Sequence, residues 1–394
     1  MRIRIVAVMM GLVLLSSNLV AQGLELKQVA SKFDITLYGY VKLDASYDTQ
    51  RTSAGDLMFF VLPEVNGEKD NEFNMTAKET RFGFDISGPA SDTVKTTGKI
   101  EGDFYGPGGS ANSPNLRLRL AYLDLALNNG LSFRAGQDWE TFITVIPKIV
   151  NFSYLADCGA LGLRRPQARL TYEAGGDTKF IGKLAVARTI GEDIDGGGQD
   201  DGVDSGLPTV QYNFVIQTKW LSSKPTKLGI SGHYGQETLD GVTTNTPPRI
   251  STVDDKNYDT WSVIGSAIIP LHDKVALQGT LWMGENLDTY FGGIGQGINK
   301  ALATEIAAKG GFFQAMFDVT SRLNLNVGVG ADDPEDDDLN ANGRSLNKMG
   351  FASAFFSLTP AATLAVEYSH MITSYKGSDD ATNDRFQGAA IYKF

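Results

Sequence analysis

Between residues 36 and 48 the chain alternates without a break. Leu37, Gly39, Val41, Leu43, Ala45 and Tyr47 share one face, and Tyr38, Tyr40, Lys42, Asp44 and Ser46 share the other. A period of two sustained over about a dozen residues predicts a strand with one apolar and one polar face. The pattern recurs at 74–86, 93–105, 115–127, 131–139, 163–173, 179–189, 208–220, 226–237, 257–269, 274–286, 309–319, 322–331, 348–358, 362–374 and 384–394. That gives about sixteen strands, an even number as a closed antiparallel bacterial barrel requires.

The links between these strands sort by parity. From strand 2 onward the even-to-odd links are short: Gly88-Pro89-Ala90, Asn128-Asn129-Gly130, Gly175-Gly176-Asp177, Ser222-Ser223-Lys224-Pro225, Leu271-His272-Asp273, Thr320-Ser321-Arg322 and Thr359-Pro360-Ala361. Most contain the Gly, Pro, Asn or Asp that tight turns demand. The odd-to-even links are long: 49–73, 106–114, 140–162, 190–207, 238–256, 287–308, 332–347 and 375–383. A soluble sandwich has no reason to sort its loops this way, whereas a barrel with periplasmic turns below and extracellular loops above does. No apolar run after residue 21 reaches the ~18 residues of a spanning helix, so a membrane-crossing chain must cross as paired strands. The expected fold is therefore all-β, a transmembrane antiparallel barrel. Tyr172, Tyr212, Trp220, Trp261, Tyr368, Tyr392 and Phe394 near strand ends fit interfacial girdles, although β-propensity alone also favours aromatics in strands.

The ends add a destination. Arg2 and Arg4 precede an apolar stretch from Val6 to Leu15, and Leu19-Val20-Ala21 offers a cleavage site, so residues 1–21 read as an export signal. Residues 22–33 form a short periplasmic segment and 34–394 the barrel, which closes on the strand Ala389-Ala390-Ile391-Tyr392-Lys393-Phe394. Terminal Phe394 is expected to act as the membrane-insertion signal, and the location expected is the bacterial outer membrane. The formal charge of -11 argues against nucleic acid, which wants clustered surplus Lys and Arg. The single cysteine, Cys158, cannot form an internal disulfide.

With the apolar face outward, the other face lines the lumen. Strand 1 then offers Lys42. Strand 2 offers Glu79, Arg81 and Asp85, and strand 3 Lys95, Lys99, Glu101 and Asp103. Strand 4 offers Arg117 and Arg119, strand 5 Arg134 and Asp138, and strand 6 Arg165, Gln167 and Arg169. Later strands carry fewer inward cations; strand 13 shows Asn324 and Asn326. A guanidinium keeps its charge and fits carboxylate or phosphate, so such a wall favours small anions. The plainer alternative is a solvated inner face whose cations are paired with Glu79, Glu101, Asp103 and Asp138.

Loop 140–162 is too apolar to sit in solvent and is expected to fold inward as the constriction, burying Phe142, Ile143, Val145, Ile146, Ile149, Val150 and Phe152. Glu140, Phe142, Lys148 and Asp157 are its candidate pore residues. The apolar stretch Leu57-Met58-Phe59-Phe60-Val61-Leu62-Pro63 in the first long loop invites a partner, an adjacent subunit, or else packs on its own rim. The acidic segments 192–201 and 332–338 lack the full spacing of a calcium loop and are read as solvated charge, with no metal site assigned. Divalent bridging to lipopolysaccharide is an intermediate reading. Catalysis would need a histidine base; His272 falls in a turn, and Ser231/His233 and Ser369/His370 lack an obvious orienting carboxylate.

These features together resemble the sixteen-stranded trimeric porins of Gram-negative outer membranes. Leu37-Tyr38-Gly39-Tyr40-Val41-Lys42-Leu43-Asp44-Ala45, Thr80-Arg81-Phe82-Gly83-Phe84-Asp85-Ile86-Ser87-Gly88-Pro89, Leu116-Arg117-Leu118-Arg119 through Tyr122, and Ala135-Gly136-Gln137-Asp138-Trp139 resemble the DcaP-like porins. The resemblance implies a homotrimer with one pore per subunit and a preference for dicarboxylates and other small anions. Some DcaP-like members carry a longer coiled-coil extension than 22–33 allows. The expected function is passive diffusion of small hydrophilic solutes with no cofactor and no catalysis. The alternatives are a non-selective or weakly cation-selective porin and, more distantly, a barrel hydrolase. A plugged structural barrel would need a domain before residue 34. The expected partners are small anionic or polar solutes, outer-membrane lipid and lipopolysaccharide.

Overall fold

The structure, a computed structural model, describes residues 32–192, 200–239, 243–246, 249–252 and 255–394. The export signal, nearly all of the 22–33 segment and residues 193–199 of the acidic fourth loop lie outside the described residues. The barrel strands are β1 (Asp34–Asp48), β2 in two pieces (Glu72–Thr76 and Arg81–Ser87), β3 (Val94–Gly106), β4 (Asn115–Leu127), β5 (Leu131–Trp139), β6 (Arg164–Gly175), β7 (Thr178–Ala187) and β8 (Thr209–Lys219). They continue as β9 (Pro225–Leu239), β10 (Lys256–His272), β11 (Val275–Glu285), β12 (Ala307–Asp318), β13 (Leu323–Pro334), β14 (Arg344–Ser357), β15 (Ala362–Tyr375) and β16 (Ser378–Lys393). The main sheet has 17 segments, and because two of them make up β2 it is a sixteen-stranded barrel.

Every strand pairs antiparallel with the next, and β16 returns to β1 in register from Tyr40↔Lys393 to Asp48↔Arg385. Beyond that ladder, Gly39 and Phe394 exchange two backbone hydrogen bonds at 3.1 Å. A Cβ at Gly39 would lie 2.2 Å from the Arg81 carbonyl and 2.9 Å from the Phe394 ring, so the seam closes only over glycine. Among the described residues no helix is long and apolar enough to cross a membrane. Leu43, Ile100, Leu118, Leu170, Phe214, Leu281 and Val366 instead stand exposed on the outer wall. Tyr172, Trp220, Tyr392 and Phe394 are exposed there too.

Three expectations need correction, and one open alternative is resolved. Strand 2 is not continuous: the ladder breaks over residues 77–80, where Thr80 Oγ1 accepts the Lys42 N–H at 3.1 Å in place of a backbone partner. The last long link is not long. Strands β15 and β16 continue to Tyr375↔Ser378, leaving Lys376-Gly377 as a tight turn with Gly377 at φ +79. The polar run Ser378–Asn383 reads as a loop by composition, yet it is a strand end with Asn383 fully buried against Asp48. Of the two readings of the first-loop apolar stretch, packing on its own barrel is the one observed. The stretch forms a hairpin (Thr52–Ala54 with Leu57–Val61) dipping into its own barrel, where Met58 and Val61 are buried and Val61 N–H bonds Thr373 Oγ1 at 2.9 Å. Finally, Glu101 opposes Leu120 while Gly102 opposes Leu118, which makes Arg119 the extra residue of a bulge.

Candidate functional site

The expected lumenal cations of β1 to β6, Lys95 excepted, gather on the inside, and nearly all are matched there by carboxylates. Lys42 contacts Glu79 and lies 3.2 Å from Asp44, and Arg81 lies 3.7 Å from Glu101. Lys99 pairs with Asp85 at 2.7 Å. Arg117 grips Asp103 through Nε and Nη2 at 2.9 and 2.8 Å, a bidentate fork. Arg119, fully buried, divides its guanidinium between Glu101 at 2.7 Å and Asp103 at 2.8 Å. Arg134 bonds Asp124 and reaches Asp138 at 2.8 Å, and Arg169 reaches the same Asp138 oxygen at 2.9 Å. Seven cations thus meet seven carboxylates (Asp44, Glu79, Asp85, Glu101, Asp103, Asp124, Asp138). Tyrosines complete the web: Tyr38 donates to Glu101 at 2.9 Å and Tyr40 to Glu79 at 3.0 Å. The ladder is real, but as a charge-balanced network rather than a row of free cations. Lys95 lies apart, exposed near the periplasmic end of β3.

Loop 3 (residues 140–163) crosses to the opposite wall, and that wall is built to receive it. The Thr141 N–H bonds Gln211, Asn213 donates to the Thr141 carbonyl, and Ser231 donates to the Phe142 carbonyl. Gln278 donates to the Ile146 carbonyl, and Gln314 both accepts from and donates to the Lys148 backbone. Val150 N–H bonds Glu367 at 2.7 Å, Asn347 donates to the Asp157 carbonyl, and Trp282 donates to the Gly159 carbonyl. Irregular backbone inside a barrel is tolerable only when its polar groups are answered in this way. Phe142, Val145, Ile149, Val150 and Leu155 bury their side chains against that wall and the first-loop hairpin.

The constriction residues expected from sequence separate. Glu140 is completely buried and pairs with Arg165 at 2.5 Å; burial holds its carboxyl above the usual range despite the guanidinium. Arg165 also bonds Tyr290 at 3.2 Å and stacks on its ring, so this cation anchors the loop and does not line the pore. Phe142 is core. Asp157 is buried at the loop tip, and burial pushes its carboxyl up to about 7 against the pull of Arg344. Lys148 alone of the four is exposed; it bonds Asn324 at 2.5 Å, and burial of part of its length lowers its ammonium. Ile146 is likewise left exposed, 40%, where sequence predicted burial.

Between ladder and loop lies a cavity of about 80 Å³ whose walls differ in kind. Arg117 and Arg164 supply charge; Ile143, Val145, Ile146, Pro147, Phe152 and Trp139 supply apolar surface. Arg164 forms no ion pair among the described residues and stacks on Trp139 at 4.7 Å. Sequence reading missed it. Strand parity favours Arg165, but Arg164 sits where loop 3 rejoins the sheet and period two does not yet apply. Arg117 keeps 28% of its side chain exposed despite Asp103. A far larger concavity, about 980 Å³, lies on the outer wall among Leu228, Leu281, Phe313 and Val329, away from any solute path.

The histidines offer no catalytic set. His233 is buried between Ser262, Thr260 and the Tyr290 ring at 3.9 Å. His370 does have a carboxylate, Asp384 at 2.9 Å, which sequence did not reveal, but Ser369 lies on the opposite, inward face of the strand with Glu367 and Thr373 and is fully buried. In the acidic segment 332–338, Asp332 is buried and Asp333 pairs with Lys309 at 3.2 Å.

A family model described as DcaP outer membrane protein matches residues 14–221, more than half of the chain. No curated protein matches. Among solved structures, the outer membrane channel DcaP of Acinetobacter baumannii superposes with a TM-score of 0.71 at 20% identity, covering 92% of this chain and 97% of that one. OmpF of Salmonella typhi, in complex with daunomycin, gives 0.61 at 14% identity over 92% and 98% of the two chains. An anion-selective porin from Comamonas acidovorans gives 0.59 at 13% identity over 92% and 100%. At such identities these likenesses establish the fold, a porin-type barrel.

Proposed function

The chain belongs to the DcaP outer membrane protein family, and from that premise we propose a passive diffusion pore with a preference for small anions such as dicarboxylates. It is a porin-type outer-membrane barrel. The preference rests on Arg164, which stands beside Arg117 at the narrowed cavity with no carboxylate of its own among the described residues. The paired ladder contributes little net charge, so one uncompensated guanidinium there carries most of the local field. Ladder cations with partly exposed side chains, Arg117, Lys99 and Arg134, pass a solute along the wall. We further propose export through cleavage after residue 21 and assembly as a homotrimer embedded among outer-membrane lipids and lipopolysaccharide.

The test is the reversal potential of purified protein in a planar bilayer under a KCl gradient. An anion-selective sign is expected, shrinking in Arg164→Gln and further in Arg164→Gln with Arg117→Gln. A cation-selective sign in the unaltered protein would overturn the preference and leave a general porin. No conductance would overturn the pore itself.

A further inference from the structure

The sixth long loop, residues 286–306, begins at the extracellular end of β11 with a turn whose oxygens are unanswered. Asn286 is 1% exposed, and its Nδ2 donates to Glu237 Oε1 at 3.0 Å. That bond fixes the amide and turns Oδ1 the other way, where it accepts no hydrogen bond. Asp288 Oδ1 is also buried without a partner, as is Thr289 Oγ1. The two Oδ1 atoms converge: a Cβ on Gly297 would lie 2.3 Å from that of Asn286 and 2.4 Å from that of Asp288. Only glycine at 297 keeps their shared approach free of a side chain.

The surroundings are negative and are relieved only by hydrogen bonds: the Glu192 N–H donates to Glu237 Oε2 at 3.1 Å, and the backbone N–H groups of residues 288 and 289 act on the Asp288 carboxyl. Asp288 faces Glu192 of the fourth loop, and Glu237 faces both. Among the described residues none of the three forms an ion pair, although buried carboxylates without a counter-charge cost several kcal/mol each. A cradle can answer this by holding protons or by binding a cation.

We propose that this cradle binds a hard divalent cation of the Ca²⁺ type. Asn286 Oδ1 and Asp288 Oδ1 are its ligands, Glu237 positions the amide, and Glu192 brings the fourth loop against it. Oxygen-only donors suit Ca²⁺. No three His, Cys, Asp or Glu side chains among the described residues form a metal-holding group, so amide, backbone and water oxygens complete the shell. The consequence reaches the pore. Tyr290 and Phe291, in the same turn, accept the N–H groups of Gly162 at 2.7 Å and Asp157 at 2.9 Å. A cation fixing this turn braces loop 3 from above.

The test uses the whole purified protein, stripped with chelator and titrated with CaCl₂ alone. The melting temperature is expected to rise over roughly 0.1–10 mM, the range of weak extracellular calcium sites. The rise is lost in Asp288→Asn and in Asn286→Ala, and kept in Asp273→Asn, in the short turn between β10 and β11 at the other end of the barrel. An equal rise in the unaltered protein and Asp288→Asn, or no rise in the unaltered protein, would overturn the proposal. Should the variants not fold, Tb³⁺ bound to the unaltered protein decides. Emission sensitised by tyrosine and displaced by Ca²⁺ supports the site, and its absence rejects it.

Discussion

The two walls of this lumen solve opposite problems with different residues. From β1 to β6 the inner face is charged, and carboxylates are interleaved with guanidiniums until the sum is near zero. From β8 to β15 it is largely neutral: Gln211, Asn213, Ser231, Gln278, Gln314 and Asn347 are all buried or nearly so, and each meets the backbone of loop 3. Amides suit that task because one side chain can both donate and accept, which a cation cannot. The charged wall is left for the solute, and the amide wall holds the part that narrows its path. Under the proposed function, selectivity and aperture would be carried by separable sets of residues.

Breaking the link between the walls should have the largest effect. Glu140→Ala leaves Arg165 buried and unpaired at the root of loop 3, at a cost of about 3–5 kcal/mol. We expect lower urea resistance and a wider, noisier conductance, and Glu140→Gln with Arg165→Met should recover part of the stability. Within the charged wall, Arg119→Gln should separate from Arg164→Gln. The first takes one of two cationic partners from each of Glu101 and Asp103, which keep Arg81 and Arg117, and should destabilise by about 1.5–3 kcal/mol, the worth of hydrogen bonds to charged groups. The second should change reversal potential while shifting stability by no more than about 1 kcal/mol, the worth of one cation–π contact. On the amide wall, Gln314→Ala removes partners from both backbone groups of Lys148, worth about 1–3 kcal/mol. It should raise conductance and leave ion preference unchanged.

The smallest effect is expected from pH. Asp157 faces Arg344, Asp288 and Asp332 at the loop tip, and its carboxyl is raised in the fold to about 7. A raised acid holds its proton more tightly folded than unfolded, so its stabilisation is complete below about pH 4 and is lost as pH rises toward 7. Protection factors at residues 155–160, with the intrinsic pH dependence of amide exchange divided out, should be higher near pH 5 than near pH 8. Asp157→Asn should flatten that difference.

Much of this was legible in the chain. Alternation located the strands, link lengths separated the two ends of the barrel, and the apolar composition of 140–162 announced a loop turned inward. What escaped has physical causes. Period two gives the face of a residue but not its partner, so Asp124 and Asp44 could not be matched to Arg134 and Lys42. Parity also fails where the ladder is irregular, at Leu120 beyond the Arg119 bulge and at the junction holding Arg164. Composition misled at Ser378–Asn383, because a strand rising above the membrane is free to be polar. At Leu57–Val61 composition left two partners open, and the interior of the same barrel is the one observed.

The seam between β1 and β16 sets the order in which the protein can be made. Most ladders join neighbours in sequence and can form as local hairpins, the tight Lys376-Gly377 turn among them. The last ladder joins Tyr40 to Lys393 and can form only when both ends of the chain have been delivered to one place. Contacts this distant are slow to find. Until they form, two unpaired strand edges stay open to any other chain in the periplasm. Biogenesis thus ends on a single late event, and whatever shields β1 until β16 arrives governs how much of the chain is lost to aggregation.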